Sequence, residues 1–369
     1  MGIEPIFQGE NWAGVPCHFW SVVFFIVGCM VGSFLNVCIH RLPMDQSIVV
    51  PPSHCPHCKY SIPWFLNIPL VTWLYLRGRC RNCGAPISVR YFLVELLTGG
   101  VFLVTWLRYG GQSVWLAVIY CAFLAGLIVA TFIDFEHYII PDEITLGGAA
   151  VGFVSAFALP SLLGQETLAQ AMKQSLVGMA VGAGMIYVIL RAGKLMFGRQ
   201  KLALTGETRI VFSETAVHLP DKAIPYEELF YRRTDVIGLH AKYVELVDRG
   251  YKDVVVRLGP EKLRIGDDEF DPETVPHMEA VSSELVLPRE AMGLGDVKFM
   301  AAIGAFLGWK AVVFSLFVSS ILGSIVGIAA IAFGQREWSS RLPYGPYIAM
   351  AAALWLFGGK EFVSRWIGN

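Results

Sequence analysis

A polytopic α-helical membrane protein of about eight spans, with a small metal-binding segment and a soluble mixed α+β insert, is the architecture this chain predicts. Three observations carry it. Of the 369 residues, 55% are hydrophobic and only 16% charged, a balance that water does not solvate as an ordinary globular surface. Uncharged runs recur near the roughly 20 residues that a helix needs to cross the hydrocarbon core. The charge is also segregated, because residues 191–290 hold 33 of the 59 Asp, Glu, Lys and Arg side chains. The formal net charge of −1 averages two unlike materials. It gives no case for a nucleic-acid partner; membrane lipid is the surrounding to expect.

Residues 1–48 hold the first span, at 19–39. No Lys or Arg precedes it and Arg41 follows it, which reads as a retained helix rather than a cleaved signal. Residues 49–90 are too few to build a sizeable core, and so small a unit needs a metal or disulfide to hold it. Residues 91–198 carry spans at 91–107, 114–133, 144–163 and 174–190. Residues 199–288 form the soluble insert, and residues 289–369 carry spans at 292–308, 311–333 and 342–359. Arg41, Lys59, Arg77, Arg79, Arg81 and Arg90 in the first loop, with Arg336 and Arg341 in the last, place those loops and the insert in the cytoplasm by the positive-inside rule. An even span count then leaves both termini outside, periplasmic in a bacterial inner membrane.

The segment 49–90 contains Cys55-Pro-His-Cys58 and Cys80-Arg-Asn-Cys83, two Cys-x-x-Cys pairs 21 residues apart. That is just past the usual spacing of a four-thiolate zinc site, in which four sulfurs at about 2.3 Å close the shell and leave no position for catalysis. Disulfides are the alternative, disfavoured by a reducing cytoplasm. His54 and His57 are alternative ligands. Cys17, Cys29, Cys38 and Cys121 lie in or beside apolar helices and read as small hydrophobes.

Two aspartates stand at the cytoplasmic ends of apolar helices: Asp134 closing the third span, and Asp296 in Gly293-Leu-Gly-Asp-Val-Lys298 opening the sixth. They share one membrane depth. Carboxylates within hydrogen-bond range cannot both ionise cheaply, so such a pair keeps one proton. It can then take a proton from water and give one to a carbonyl oxygen, which is what peptide hydrolysis needs. Asp142 reads as a helix cap. Glu136, Asp142 and Glu143 offer negative charge to a basic peptide. Lys298 either pairs with a catalytic carboxylate or reaches to the interface. Leu342-Pro-Tyr-Gly-Pro-Tyr-Ile either distorts the start of the eighth span near the active plane or simply opens that helix.

In the insert, Arg209-Ile-Val-Phe and Asp253-Val-Val-Val-Arg alternate as strands do, while residues 230–252 look helical in part. An offset of 46 residues matches Ile210, Phe212, Val217, Leu219, Ile224 and Leu229 to Val256, Leu258, Leu263, Ile265, Phe270 and Val275, with Asp221 on Asp267 and Glu227 on Glu273. Two copies of a hairpin with a short helical or turn element account for this; chance alignment of apolar strand residues is the alternative.

Together these motifs resemble the type IV prepilin peptidases, intramembrane aspartic peptidases marked by Gly-x-Gly-Asp, here Gly293 to Asp296. The similarity begins at Gly32-Ser-Phe-Leu-Asn-Val and Arg41-Leu-Pro and continues through both cysteine pairs and Arg90-Tyr-Phe-Leu-Val-Glu-Leu-Leu-Thr98. It then takes in Asp134 with Ile140-Pro-Asp142, and ends with Pro343 to Pro346. The resemblance implies cleavage of the short basic leader of a prepilin or pseudopilin, after a glycine that precedes an apolar helix, with Asp134 and Asp296 as the catalytic pair. It also implies S-adenosylmethionine-dependent methylation of the new N-terminus. No nucleotide-fold fingerprint supports that second activity; Gly78 and Glu95 are its candidate residues, and nothing but the resemblance argues for it. The insert departs from the family pattern, and binding a pilus or secretion assembly partner, covering the active site, and sensing a ligand are equally open roles. A proton-relaying transporter and a non-catalytic assembly scaffold are the competing function classes.

Overall fold

A computed structural model describes residues 17–197, 199–220, 222–226, 229–230, 235–246, 248–288, 293–333 and 342–367. The N-terminal residues, the loop with Arg336 and Arg341, and the repeat positions Asp221 and Glu227 lie outside the described residues. The chain divides into two compact units, residues 1–187 with 294–369, and residues 188–293.

The first unit is helical. Its helices are α1 (Cys17–Arg41), the short α2 (Val71–Tyr75), α3 (Val89–Tyr109), α4 (Val114–His137), α5 (Asp142–Ala158), α6 (Leu168–Phe197, whose last residues belong to the other unit), α7 (Leu294–Leu307), α8 (Trp309–Ala332), α9 (Gly345–Leu354) and α10 (Lys360–Ile367). Five of them, α1, α3, α4, α6 and α8, are long and apolar enough to cross a membrane. Helices α5, α7 and α9 are shorter, at 17, 14 and 10 residues.

Local chemistry sets several ends. The Ser88 hydroxyl accepts the Arg90 N–H at the start of α3, and Ser113 accepts the Leu116 N–H at the start of α4, each satisfying an N–H without a helical partner. Helix α4 stops at Tyr138, whose left-handed backbone returns its N–H to the Asp134 carbonyl. Pro160 follows the end of α5 and opens a 3-10 turn, Pro160–Leu163, because proline cannot continue a helix.

Lipid supplies no hydrophobic force between helices, so small residues that permit close backbone approach matter most. Gly28 and Gly32 of α1 lie against α3, where a Cβ would meet the Gly99 and Glu95 Cα atoms at 2.8 and 2.7 Å. Gly178 and Gly182 of α6 lie against α7 in the same way, where a Cβ would run into the Gly304 and Met300 carbonyl oxygens. The Ser175 hydroxyl donates to the Ala305 carbonyl at 3.0 Å across the same pair.

The second unit carries one eight-stranded antiparallel sheet: β1 (Arg199–Phe212), β2 (Ala216–Leu219), β3 (Lys222–Pro225), β4 (Ile237–Glu245), β5 (Gly250–Leu258), β6 (Leu263–Ile265), β7 (Asp268–Phe270) and β8 (Met278–Pro288), in the order β3-β2-β1-β8-β4-β5-β6-β7. That order maps onto itself when β1 to β4 exchange with β5 to β8. One apolar core takes side chains from both halves, including Ile210, Val217, Val256 and Ile265.

The α+β expectation for the insert is corrected here: its described residues form strands and a 3-10 turn, with no α-helix beyond the end of α6. The stretch read as partly helical contains β4, which pairs with both β5 and β8. Ile237, Leu239 and Ala241 are buried at period two, and ladder pairing on both sides overrides weak local helix preference.

The glycine contacts generate a paired prediction. Gly182→Leu forces a side chain into the Met300 backbone, whereas Gly184 faces open space. Gly182→Leu should lower the apparent melting temperature in detergent, at a cost of about 1–3 kcal/mol or more, while Gly184→Leu leaves it nearly unchanged.

Candidate active site and metal centre

The four motif cysteines converge. Cys55, Cys58, Cys80 and Cys83 place their sulfurs within 4.8 Å of one another, with Cys55 to Cys83 and Cys58 to Cys80 both at 3.9 Å. Four sulfurs about 2.3 Å from a tetrahedral ion stand about 3.8 Å apart, whereas a disulfide holds its sulfurs near 2.0 Å. The tetrad therefore fits a metal ion.

The two knuckles share one backbone plan. The Lys59 N–H returns to the Cys55 carbonyl and the Gly84 N–H to the Cys80 carbonyl, both at 2.9 Å, while the Cys55 and Cys80 N–H groups bond Tyr60 and Ala85. Lys59 and Gly84 both adopt positive φ. Isolated bridges, His54 with Ser61 and Arg79 with Pro86, close the two turns. The Asn82 amide donates to Cys58 and, with the backbone bond from Tyr60, holds that thiol down to about 6. Backbone N–H groups of Cys83 and Asn82 lower Cys80 as well.

Glu95 and Gly78, the methyl-transfer candidates, have structural partners. The buried Glu95 carboxylate accepts the Leu70 N–H at 2.7 Å. Leu70 stands at φ 60°, ψ −51°, a γ-turn geometry closed by the Val71 N–H on the Pro69 carbonyl. Glu95 thus ties the loop before α2 to α3. Gly78 has φ +66°, and a Cβ there would meet the Trp73 ring at 2.9 Å. Two partners of Glu95, Ser33 and Leu70, line a groove of about 740 Å³ between α1 and the loops at 48–53 and 67–71.

Asp134 occupies the last turn of α4 and Asp296 the first turn of α7, and both are buried, at 6% and 8% exposure. The Gly345 N–H donates to Asp134 Oδ2 at 2.9 Å, which fixes the carboxylate against the start of α9. A Cβ on Gly345 would lie 2.8 Å from that oxygen and 3.0 Å from Ile140 Cδ1. Gly295, beside Asp296, faces the same Ile140, whose Cβ is 3.5 Å from a Cβ placed there. Ile140 is thus the common neighbour of Gly345, whose amide binds Asp134, and of Gly295 beside Asp296.

Ion pairs brace the surrounding helix ends. Lys298 of α7 donates to Asp142 of α5 at 2.6 Å, and Arg90 of α3 pairs with Glu136 of α4. Lys298 accordingly engages neither aspartate of the pair. Asp142 is the first residue of α5 and makes no side-chain cap; Pro141 holds the cap position, and the carboxylate serves the ion pair instead. Sequence reasoning missed the Gly345 amide as an Asp134 ligand. The Pro-Tyr-Gly-Pro run was its signal, since a proline after glycine leaves the preceding amides unclaimed at a helix start.

Two family profiles match this chain: the bacterial peptidase A24 N-terminal domain over residues 26–109, and the type IV leader peptidase family over residues 121–205 and 278–328. A prepilin leader peptidase/N-methyltransferase of Myxococcus xanthus is 43% identical over 194 residues, 52% of this chain and 55% of that relative. One from Aeromonas hydrophila is 27% identical over 381 residues, covering 96% of this chain and 95% of its own. A type 4 prepilin-like proteins leader peptide-processing enzyme of Escherichia coli is 41% identical over 175 residues, 42% of this chain and 63% of that protein. No solved structure matches.

Purified intact protein is expected to bring down a single divalent ion on the cysteine tetrad, and Cys80→Ser to lose it, as read by plasma mass spectrometry. Protons compete with the ion for the four thiolates, so metal content should fall as the solution is acidified.

Proposed function

The chain belongs to the type IV leader peptidase family, and from that premise we propose that it is a membrane aspartic endopeptidase acting on type IV prepilins or pseudopilins. It removes their short basic leader after glycine, with Asp134 and Asp296 as the catalytic pair. The observation that supports this reading is the burial of both carboxylates at helix ends, with Gly345, whose amide binds Asp134, and Gly295, beside Asp296, both facing Ile140.

One carboxylate takes a proton from water as the oxygen attacks the scissile carbonyl carbon, and the other gives a proton to the carbonyl oxygen. Collapse of the tetrahedral adduct breaks the C–N bond, and the leaving amine takes up a proton. The Gly345 N–H orients Asp134 for this exchange, and the Lys298 and Arg90 ion pairs keep the helix ends from drifting.

The membrane reading extends to eight spans, α5, α7 and α9 crossing in company with the five longer helices. The location is the bacterial inner membrane, with the cysteine segment and the insert cytoplasmic and both termini periplasmic. The metal is zinc in a closed, structural role. S-adenosylmethionine, when bound, supplies an electrophilic methyl group for the new N-terminal amine. The groove beside Glu95 suits it in size, with Ser33 and Asn67 as polar lining, whereas Gly78 answers a turn requirement.

The test is direct. Purified protein is incubated with a prepilin, with and without S-adenosylmethionine, and the product N-terminus is read by mass spectrometry. Asp134→Asn and Asp296→Asn should each cut the cleavage rate by about 10²–10⁴-fold or more while zinc content persists; a transporter or scaffold would show no cleavage to lose. Gly345→Ala should lower kcat by about 10²-fold through displacement of Asp134. Cleavage that survives either asparagine substitution overturns the dyad.

A further inference from the structure

A second groove, of about 720 Å³, runs between α1, α4, α5 and α7. Its walls are apolar along nearly their whole length, and Glu143 is the one charged residue that lines it. One end lies toward the aspartates, since its last lining residues there are Val129, five residues before Asp134 on α4, and Phe299, three after Asp296 on α7. The other end is marked by Val118 on α4 and Phe306 on α7. From Val118 to Val129 the groove covers about 16 Å, or three helical turns.

Its floor is built of small residues, Gly126 on α4 and Gly147 on α5 among them. Glycine inside a helix costs about 1 kcal/mol relative to alanine. At Gly28, Gly32, Gly178 and Gly182 that cost is offset by backbone contact with a neighbouring helix. At Gly126 and Gly147 a Cβ would meet nothing within 4 Å. The close approach these two permit has no taker among the described residues, and they face the groove.

We propose that this groove seats the apolar helix that follows the cleavage site of the prepilin substrate. This rests on the peptidase reading and assigns it a substrate-binding site. Two features select that occupant: the groove ends within about one and a half helical turns of each aspartate, and Glu143 stands exposed at the aspartate end, where a basic leader passes. A helix laid on the glycine floor carries its first residues to Asp134 and Asp296. Its apolar length stays in the hydrocarbon layer, so neither chain exposes backbone polar groups to lipid.

The experiment uses the full chain in membranes with a full-length precursor. A diazirine-bearing residue is placed at Ile144 or Val151 in an Asp134→Asn background that retards turnover. Ile144 should cross-link to the start of the apolar segment and Val151 to residues about two turns further on. The same probe at Phe317, an exposed position on α8 away from the groove, should yield lipid adducts only. Separately, Gly126→Leu and Gly147→Leu should raise the KM for the precursor about tenfold with little change in kcat. Lipid adducts alone at Ile144 and Val151, adducts without that register, or unchanged KM in both leucine variants would overturn the proposal. Cleavage by the unsubstituted chain decides the peptidase reading independently, so failure of the groove and failure of the enzyme assignment are told apart.

Discussion

The hydrogen bond from the Gly345 N–H to Asp134 is the contact on which the arrangement of the candidate site turns. A carboxylate at the end of a membrane helix needs a polar partner, and a backbone amide at the start of another helix is one that burial does not penalise twice, since that N–H has no intrahelical acceptor of its own. The bond holds only if nothing stands between the two. Glycine at 345 is therefore a steric requirement, because even a methyl group would touch the oxygen that the amide must reach. Ile140 packs on the same spot from the α4–α5 connection through its side chain, and its Cβ and backbone face Gly295. The ion pairs of Lys298 with Asp142 and Arg90 with Glu136 act further out, where partial exposure weakens them. They help hold orientation, whereas the amide and Ile140 define it.

The cysteine segment depends on the same economy of buried polar groups. It has too few apolar residues for a core, and its fold is two knuckles that face each other across four sulfurs. One link to the helices runs through Glu95, alongside the Arg41 bond to the Pro51 carbonyl and the Trp73–Phe92 ring contact. That carboxylate reaches the Leu70 N–H in a γ-turn, while Gly32 lets α1 approach the Glu95 backbone closely. A buried glutamate on a membrane helix is expensive, and here it joins two parts of the unit that share little apolar surface. Its substitution should thus disturb the groove beside it whether or not that groove holds a cofactor.

What the chain disclosed in advance follows from the range of the forces involved. Spans, cysteine knuckles and the two aspartate motifs are local patterns, set by transfer into lipid and by ligand spacing, and each was readable from contiguous residues. The partners of Lys298 and Asp142 lie 156 residues apart, and the Gly345–Asp134 bond joins residues 211 apart. No local pattern encodes those distances, so Lys298 kept two readings and Gly345 was seen only as a helix start. The β4 strand was misread for a related reason. Its helical look came from local composition, while its conformation is decided by β5 on one side and β8 on the other, neither visible from residues 230–252 alone.

The insert adds a last constraint, and its topology shows how a chain can carry it. Strands β1 and β8, the first and last of the sheet, are paired neighbours, with Arg199 opposite Pro288. Opposed residues of an antiparallel pair have Cα atoms about 4.5–5.5 Å apart, so the unit leaves the helical chain and returns to it at nearly the same point. A domain whose ends meet in this way can replace a short loop without forcing apart the elements that the loop joined. The exchange symmetry of the sheet has the same effect, because it places β8 and β4 at the centre and sends both outer hairpins away from the ends. Two neighbours of the aspartate segments, Gly345 on Asp134 and Ile140 on the Gly295 beside Asp296, belong to the helical unit alone.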